Sequence, residues 1–139
     1  MKTNIFKIIS IAFLVLAIVM ILFFTFQNPH ASYELSMSVR DWLTYHGIDI
    51  EYATLRTNAH LVEYFILGVA LAMFAKVRGY KWWIPMVIGC GVGVLDETVK
   101  ILLPGREFGG GDMVRDFVGV GIAVTCVCVS FDKRMLYRK

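Results

Sequence analysis

Apolar and polar residues are distributed along this chain in long blocks rather than in short alternating runs. Ile8 to Phe26 is an unbroken run without a charge, a glycine or a proline, apolar but for Ser10 and Thr25. A helix needs about 20 such residues to cross a bilayer, so the stretch 8–26 predicts a first membrane span. Three more blocks follow, at 57–75, 82–103 and 113–131, each carrying charged residues only toward one end. A basic turn, Lys76 to Lys81, separates the second from the third, and a glycine-rich loop, Pro104 to Gly111, separates the third from the fourth. The pattern predicts an all-α fold, a membrane bundle of four transmembrane helices that takes up residues 1–139 as one domain. Between the first two spans, Asn28-Pro29 signals a turn. Leu35, Val39, Trp42 and Leu43 then recur at helical spacing, which fits a surface amphipathic helix as well as an ordinary ordered loop.

Composition strengthens the membrane reading. Hydrophobic residues make up 58% of the 139, where soluble domains sit nearer 45–50%, and four spans leave no room for a separate soluble domain. The alternative reading of 8–26, a cleaved signal peptide, calls for a shorter apolar core ending in small residues. This stretch ends in Phe23, Phe24 and Phe26 instead. Cys90, Cys126 and Cys128 lie in apolar runs without metal or redox spacing, which marks them as inert thiols. No cofactor is expected. The basic residues sit in short inter-helix stretches rather than on one face with stacking aromatics, so nucleic acid is not expected as a partner.

Charge then sets the orientation. The N-terminus, the 76–81 turn and the tail hold nine of the fourteen basic residues, opposed only by Asp132; the other side holds ten of the eleven acidic ones. The positive-inside rule puts both termini in the cytoplasm. It follows that Glu63, Asp96, Glu97, Lys100, Arg115 and Asp116 all lie toward the outer ends of their spans. Charges at membrane depth face a bundle interior or a water-filled cavity, so these residues are expected to form one outward-facing polar pocket above a closed apolar plug. Such a plug disfavours a proton-coupled transporter.

Helical spacing groups these residues further. Arg56, His60 and Glu63 share a face of the second span; Gly89, Gly93, Glu97 and Lys100 share one on the third; Asp112, Asp116, Gly119 and Ala123 share one on the fourth. Gly89-x-x-x-Gly93 is a packing signature in apolar helices. The glycine-rich loop offers backbone N–H groups beside a helix start, and Arg106 a forked donor, which together suit an anion. A metal held by His60 and Glu63 with Asp96, Glu97 or Asp112 is conceivable, but His-x-x-Glu is a weak signal, and no metal is assigned. Glu97 with Asp112 or Asp116 forms a candidate acid/base set, and no nucleophile motif accompanies it.

The stretch Asp96-Glu97-x-x-Lys100-x-Leu102-x-Pro104-Gly105-Arg106, followed by Asp112, Asp116 and Gly119, resembles the signature of the VanZ-like membrane proteins. Arg56-x-x-x-His60-x-x-x-Tyr64 resembles that family's earlier motif. The resemblance covers residues 55–125 and implies a small multi-span protein of the bacterial cytoplasmic membrane; the founding member is associated with resistance to the glycopeptide teicoplanin. It also implies a ligand site built from Arg56, His60, Tyr64, Asp96, Glu97, Lys100, Arg106, Asp112 and Asp116, to which the placement of charges in the spans adds Glu63 and Arg115. Its partner would be a membrane lipid or a lipid-linked envelope molecule such as a cell-wall precursor, or a glycopeptide. The alternative is a small membrane enzyme acting on a lipid-linked phosphate or sugar at the outer leaflet. The family commonly has Gln in place of Lys100 and Asn in place of Asp116, so here an amide pair has become a charged pair. The two charges are expected to compensate through direct contact or a shared network.

Overall fold

The computed structural model describes residues 2–105 and 109–130. They form five helices and, among the described residues, no strand: α1 (Lys2–Phe26), α2 (Pro29–Tyr45), α3 (Tyr52–Arg78), α4 (Trp83–Ile101) and α5 (Gly110–Ser130). The all-α expectation holds. Three helical stretches, Asn4–Phe26, Tyr52–Arg78 and Gly110–Ser130, are long and apolar enough to cross a membrane. The 19-residue α4 carries Asp96, Glu97 and Lys100 near its end and is set apart from those three by its charges.

The start of α2 and the end of α3 fall at capping residues rather than where apolar runs stop. Helix α3 starts at Tyr52 and runs to Arg78, several residues beyond the expected 57–75. Its end is fixed by Gly79, in the left-handed region at φ 76°. Tyr80 N–H donates to Ala75 O (2.8 Å) and Gly79 N–H to Lys76 O (3.1 Å), a Schellman arrangement that only a residue without a Cβ penalty adopts readily. The connection after α1, readable either as helix or as loop, is the helix α2. Pro29 occupies its first turn, and the Asn28 side chain accepts from His30 N–H (2.9 Å), as N-caps do. No residue of α2 is buried, consistent with an amphipathic helix lying on the others.

The central element is α3, which packs on α5 most extensively and also on α1, α4 and α2. Small residues allow this. A Cβ at Gly119 would lie 2.6 Å from Leu61 O, and one at Gly68 would lie 2.7 Å from the Ala123 Cβ. Side chains at these points would therefore force the α3 and α5 backbones apart. The expected Gly89/Gly93 seam faces α5 as well: a Cβ at Gly89 would meet Val120 at 2.7 Å, and one at Gly93 would meet Asp116 Cβ at 3.3 Å. Beneath the polar residues lies an apolar core of Ala17 and Ile21 from α1, Leu67 and Leu71 from α3, and Val120, Val124 and Val127 from α5. Ile8, Leu16, Val19 and Phe23 of α1 remain exposed, as expected of a surface solvated by lipid.

A buried polar cluster as candidate functional site

The helix directions bring four termini to one end of the bundle: the end of α1, the first half of α3, the end of α4 and the start of α5. Charged residues that are far apart in sequence meet there. Asp96, Glu97, Lys100 and Asp116 are all buried, Glu97 and Asp116 completely. Unpaired charges in such surroundings are strongly disfavoured, so the arrangement of partners decides what the cluster can do.

Lys100 is the hub. Its Nζ lies 2.8 Å from Asp96 Oδ2 and 2.6 Å from Glu97 Oε1, at i−4 and i−3 on its own helix. The second oxygen of Glu97 accepts the Gly109 N–H at 2.9 Å. The backbone donor expected to greet an external anion just before α5 is thus bound by an internal carboxylate. The other oxygen of Asp96 accepts a hydrogen bond from the Thr25 hydroxyl of α1, which also approaches Ile21 O at 2.8 Å. Asp96 therefore bridges α1 to the lysine of α4.

The second half of the cluster centres on His60. Its Nε2 lies 3.8 Å from Asp112 Oδ2, and its Nδ1 lies 3.9 Å from Asp116 Oδ1 and 4.0 Å from Glu63 Oε2. Asp112 also pairs with Arg115 Nη1 at 2.6 Å, and its carboxylate sits in the first turn of α5, where a negative charge is favoured by the helix dipole. Neither oxygen of Asp116 nor the Tyr64 hydroxyl has a hydrogen-bond partner among the described residues. The Tyr64 ring and Asp116 pack over Gly93 from opposite helices: a Cβ at that glycine would meet Tyr64 Cε1 at 3.5 Å.

Among the described candidates, His60, Glu63, Asp112, Arg115 and Asp116 thus form one group, and Asp96, Glu97 and Lys100 another. The two are joined through carboxylate oxygens of Asp96, Glu97 and Asp116 that lie within 4.8 Å of one another. Of the two forms of compensation expected for Lys100 and Asp116, the shared network is the one present; no ion pair joins them directly among the described residues. The same three carboxylates have the donor chemistry for a hard cation, but Lys100 already supplies positive charge to two of them. Arg106 lies outside the described residues, as does the basic tail. Thr25 was not expected, and Gly109 was expected to offer its N–H to an external anion rather than to Glu97. Thr25 had a faint signal: it is a hydroxyl near the end of a span that is otherwise apolar except for Ser10.

A cleft of about 180 Å³ opens beside the cluster. Arg56, His60, Glu63, Asp96 and Lys100 supply its polar floor, together with Thr25, Ser32 and Ser36; Ile21, Phe24, Leu35, Val39 and Leu55 supply apolar walls, with α2 as one side. Arg56 is exposed at its margin. Glu97, Asp112 and Asp116 do not line it, so the expected set divides into residues at the cleft and residues behind it.

No curated protein and no solved structure matches this chain. The VanZ/LLP1 family does match, over residues 10–131. That span contains both motifs on which the resemblance rests and four of the five helices in full. With three helices able to cross a bilayer, the chain is a helical membrane protein, and it belongs to the VanZ/LLP1 family.

Proposed function

We propose that this protein spans the bacterial cytoplasmic membrane four times, with α1, α3, α4 and α5 as spans and both termini inside, and that it binds an anionic cell-envelope ligand from the outer leaflet. The observation that carries this reading is the amphiphilic cleft. Lys100 and His60 share its floor with Glu63 and Asp96 under apolar walls; Lys100 is already ion-paired to Asp96 and Glu97, so the cation set to meet a ligand is Arg56, exposed at the margin. A guanidinium suits a phosphate or carboxylate, and the walls suit attached hydrocarbon. A lipid-linked envelope precursor has both parts. A glycopeptide antibiotic has the carboxylate and is the second candidate.

Turnover is the less supported alternative. Both oxygens of Glu97 are engaged, by Lys100 and by Gly109 N–H, and Asp112 is paired with Arg115. Of the three acid/base candidates, Asp116 alone has no described hydrogen-bond partner, and it lies behind the cleft rather than on it.

The test is direct binding. Full-length protein in phosphatidylethanolamine nanodiscs is titrated with a polyisoprenyl phosphate in one series and with teicoplanin in another. Saturable binding of the lipid phosphate, weakened roughly ten- to a hundredfold by Arg56→Gln, is the expected result; one lost charge-assisted contact is worth about 1.5–3 kcal/mol, which converts to that range. Saturation by teicoplanin alone would make the glycopeptide the ligand. Binding of neither, or binding indifferent to Arg56→Gln and His60→Gln, would end the proposal.

A further inference from the structure

A second cavity lies on the other side of Thr25 and Asp96. It is a groove of about 280 Å³ between α1 and α4, floored by Leu67 of α3 and otherwise lined by Ile18, Leu22, Val92, Leu95 and Val99. Apart from the shared Thr25 and Asp96, every side chain along it is apolar. The cleft and the groove have three residues in common, Ile21, Thr25 and Asp96. One cavity is therefore polar-floored, the other is hydrocarbon-lined, and they meet at a single point, where the Thr25 hydroxyl donates to Asp96.

Resting on the reading of the cleft given above, we propose that the groove takes one hydrocarbon chain of the phosphate-headed lipid whose headgroup sits in the cleft, and that the Thr25–Asp96 hydrogen bond closes the seam through which the lipid passes sideways from the bilayer. The volume fits: an engineered apolar cavity of about 150 Å³ admits a benzene ring, so the groove accommodates a run of chain but no folded partner. The location fits too. Leu22 and Leu95 are exposed on the helix surface, so the groove opens toward lipid instead of being enclosed in the core. A detached anion would leave the groove unused, and an ordinary hydrocarbon would leave the charged floor unused. An amphiphile occupies both. The junction is suited to opening, because it is a side-chain hydrogen bond between a threonine and a carboxylate that retains Lys100 as a partner when the threonine leaves.

The test is photolabelling of the full chain in phosphatidylethanolamine vesicles. One probe is a phosphatidic acid with a diazirine on its acyl chain; the other is a diazirine-bearing hexadecane without a headgroup. The expected result is labelling of peptides containing Leu22 and Leu95 by the phosphate lipid at least fivefold above the hydrocarbon, reduced severalfold by Arg56→Gln. Leu95→Trp, which fills the groove at an exposed position, should also reduce it severalfold. Val94→Trp, also at an exposed position but outside the groove, should not. Equal labelling by both probes, indifferent to Arg56→Gln, would overturn the inference and leave only ordinary surrounding lipid. Absence of groove labelling while glycerol phosphate binds the cleft in an Arg56-dependent manner would overturn the inference and leave the cleft reading standing. Failure of both would remove both.

Discussion

At the scale of single residues, the cluster is an exercise in charge balance. Lys100 faces Asp96 and Glu97 at 2.8 and 2.6 Å, with the Asp116 carboxylate close behind. Removing the ammonium strands two buried carboxylates, and breaking a buried pair in this way costs about 3–5 kcal/mol, less where water reaches the cleft. Lys100→Gln should therefore lower stability strongly. Asp116→Asn should not, because it removes one of three carboxylates crowded around one cation and leaves an amide of the same shape. On the Lys100→Gln background the same change should recover part of the loss. The coupling between neighbours in one network is about 0.5–3 kcal/mol. Thermal unfolding of the two single variants and the double in detergent forms the cycle, and strict additivity would show that the two departures from the family pattern are independent. The balance also explains why these charges sit together. Each of them alone would be disfavoured at membrane depth, whereas the ion-paired set is held by a lysine, a threonine and a backbone N–H drawn from three parts of the chain.

At the scale of helices, the sequence shows what is periodic and conceals what is not. His60 and Glu63, Gly89 and Gly93, and Asp116 and Gly119 each follow helical spacing, so the face on which they lie was readable before any coordinates. Thr25 meets Asp96 across 71 positions, and Gly109 meets Glu97 through the main chain; neither pairing has a local pattern. Gly68 is different: Ala72, four residues on, gives it the small-xxx-small spacing of a packing motif, and only its partner Ala123, on another helix, has no local pattern. Contact distances now separate the glycines that an apolar helix carries. A Cβ at Gly119 would stand 2.6 Å from a carbonyl oxygen of α3, whereas one at Gly91 would meet nothing within 4 Å. Gly119→Ala should cost about 1–3 kcal/mol as overpacking. Gly91→Ala should be neutral or stabilising by up to about 1 kcal/mol through helix propensity. Unfolding in detergent, measured on the two variants side by side, decides it; equal effects would mean that the α3–α5 seam yields freely.

At the scale of the whole molecule, the question is whether α4, with three charged residues in its last turns, crosses the bilayer as the proposed topology requires. Its composition argues against a span, and its surroundings argue for one. Asp96, Glu97 and Lys100 are 7%, 0% and 5% exposed, so the charges do not face lipid; they are turned toward α1, α3 and the start of α5. What α4 shows to the outside is largely apolar, Val87, Ile88, Val94, Leu95 and Ile101, and its exposed Thr98 hydroxyl is satisfied by Val94 O of the same helix. A helix whose charges are paired inward crosses at far lower cost than its composition suggests. In the proposed orientation the basic residues Lys76, Arg78 and Lys81 at the other end lie on the cytoplasmic side. Two exposed positions flank α4, Tyr80 before it and Leu102 after it. In a background with Cys90, Cys126 and Cys128 replaced by Ala, Leu102→Cys should react with a membrane-impermeant maleimide in intact cells, and Tyr80→Cys should react only once the membrane is opened. Reaction of both in intact cells, or of neither, would mean that α4 does not cross. Reaction of Tyr80→Cys alone would mean that the helix crosses in the opposite sense, and the polar cleft would then face the cytoplasm.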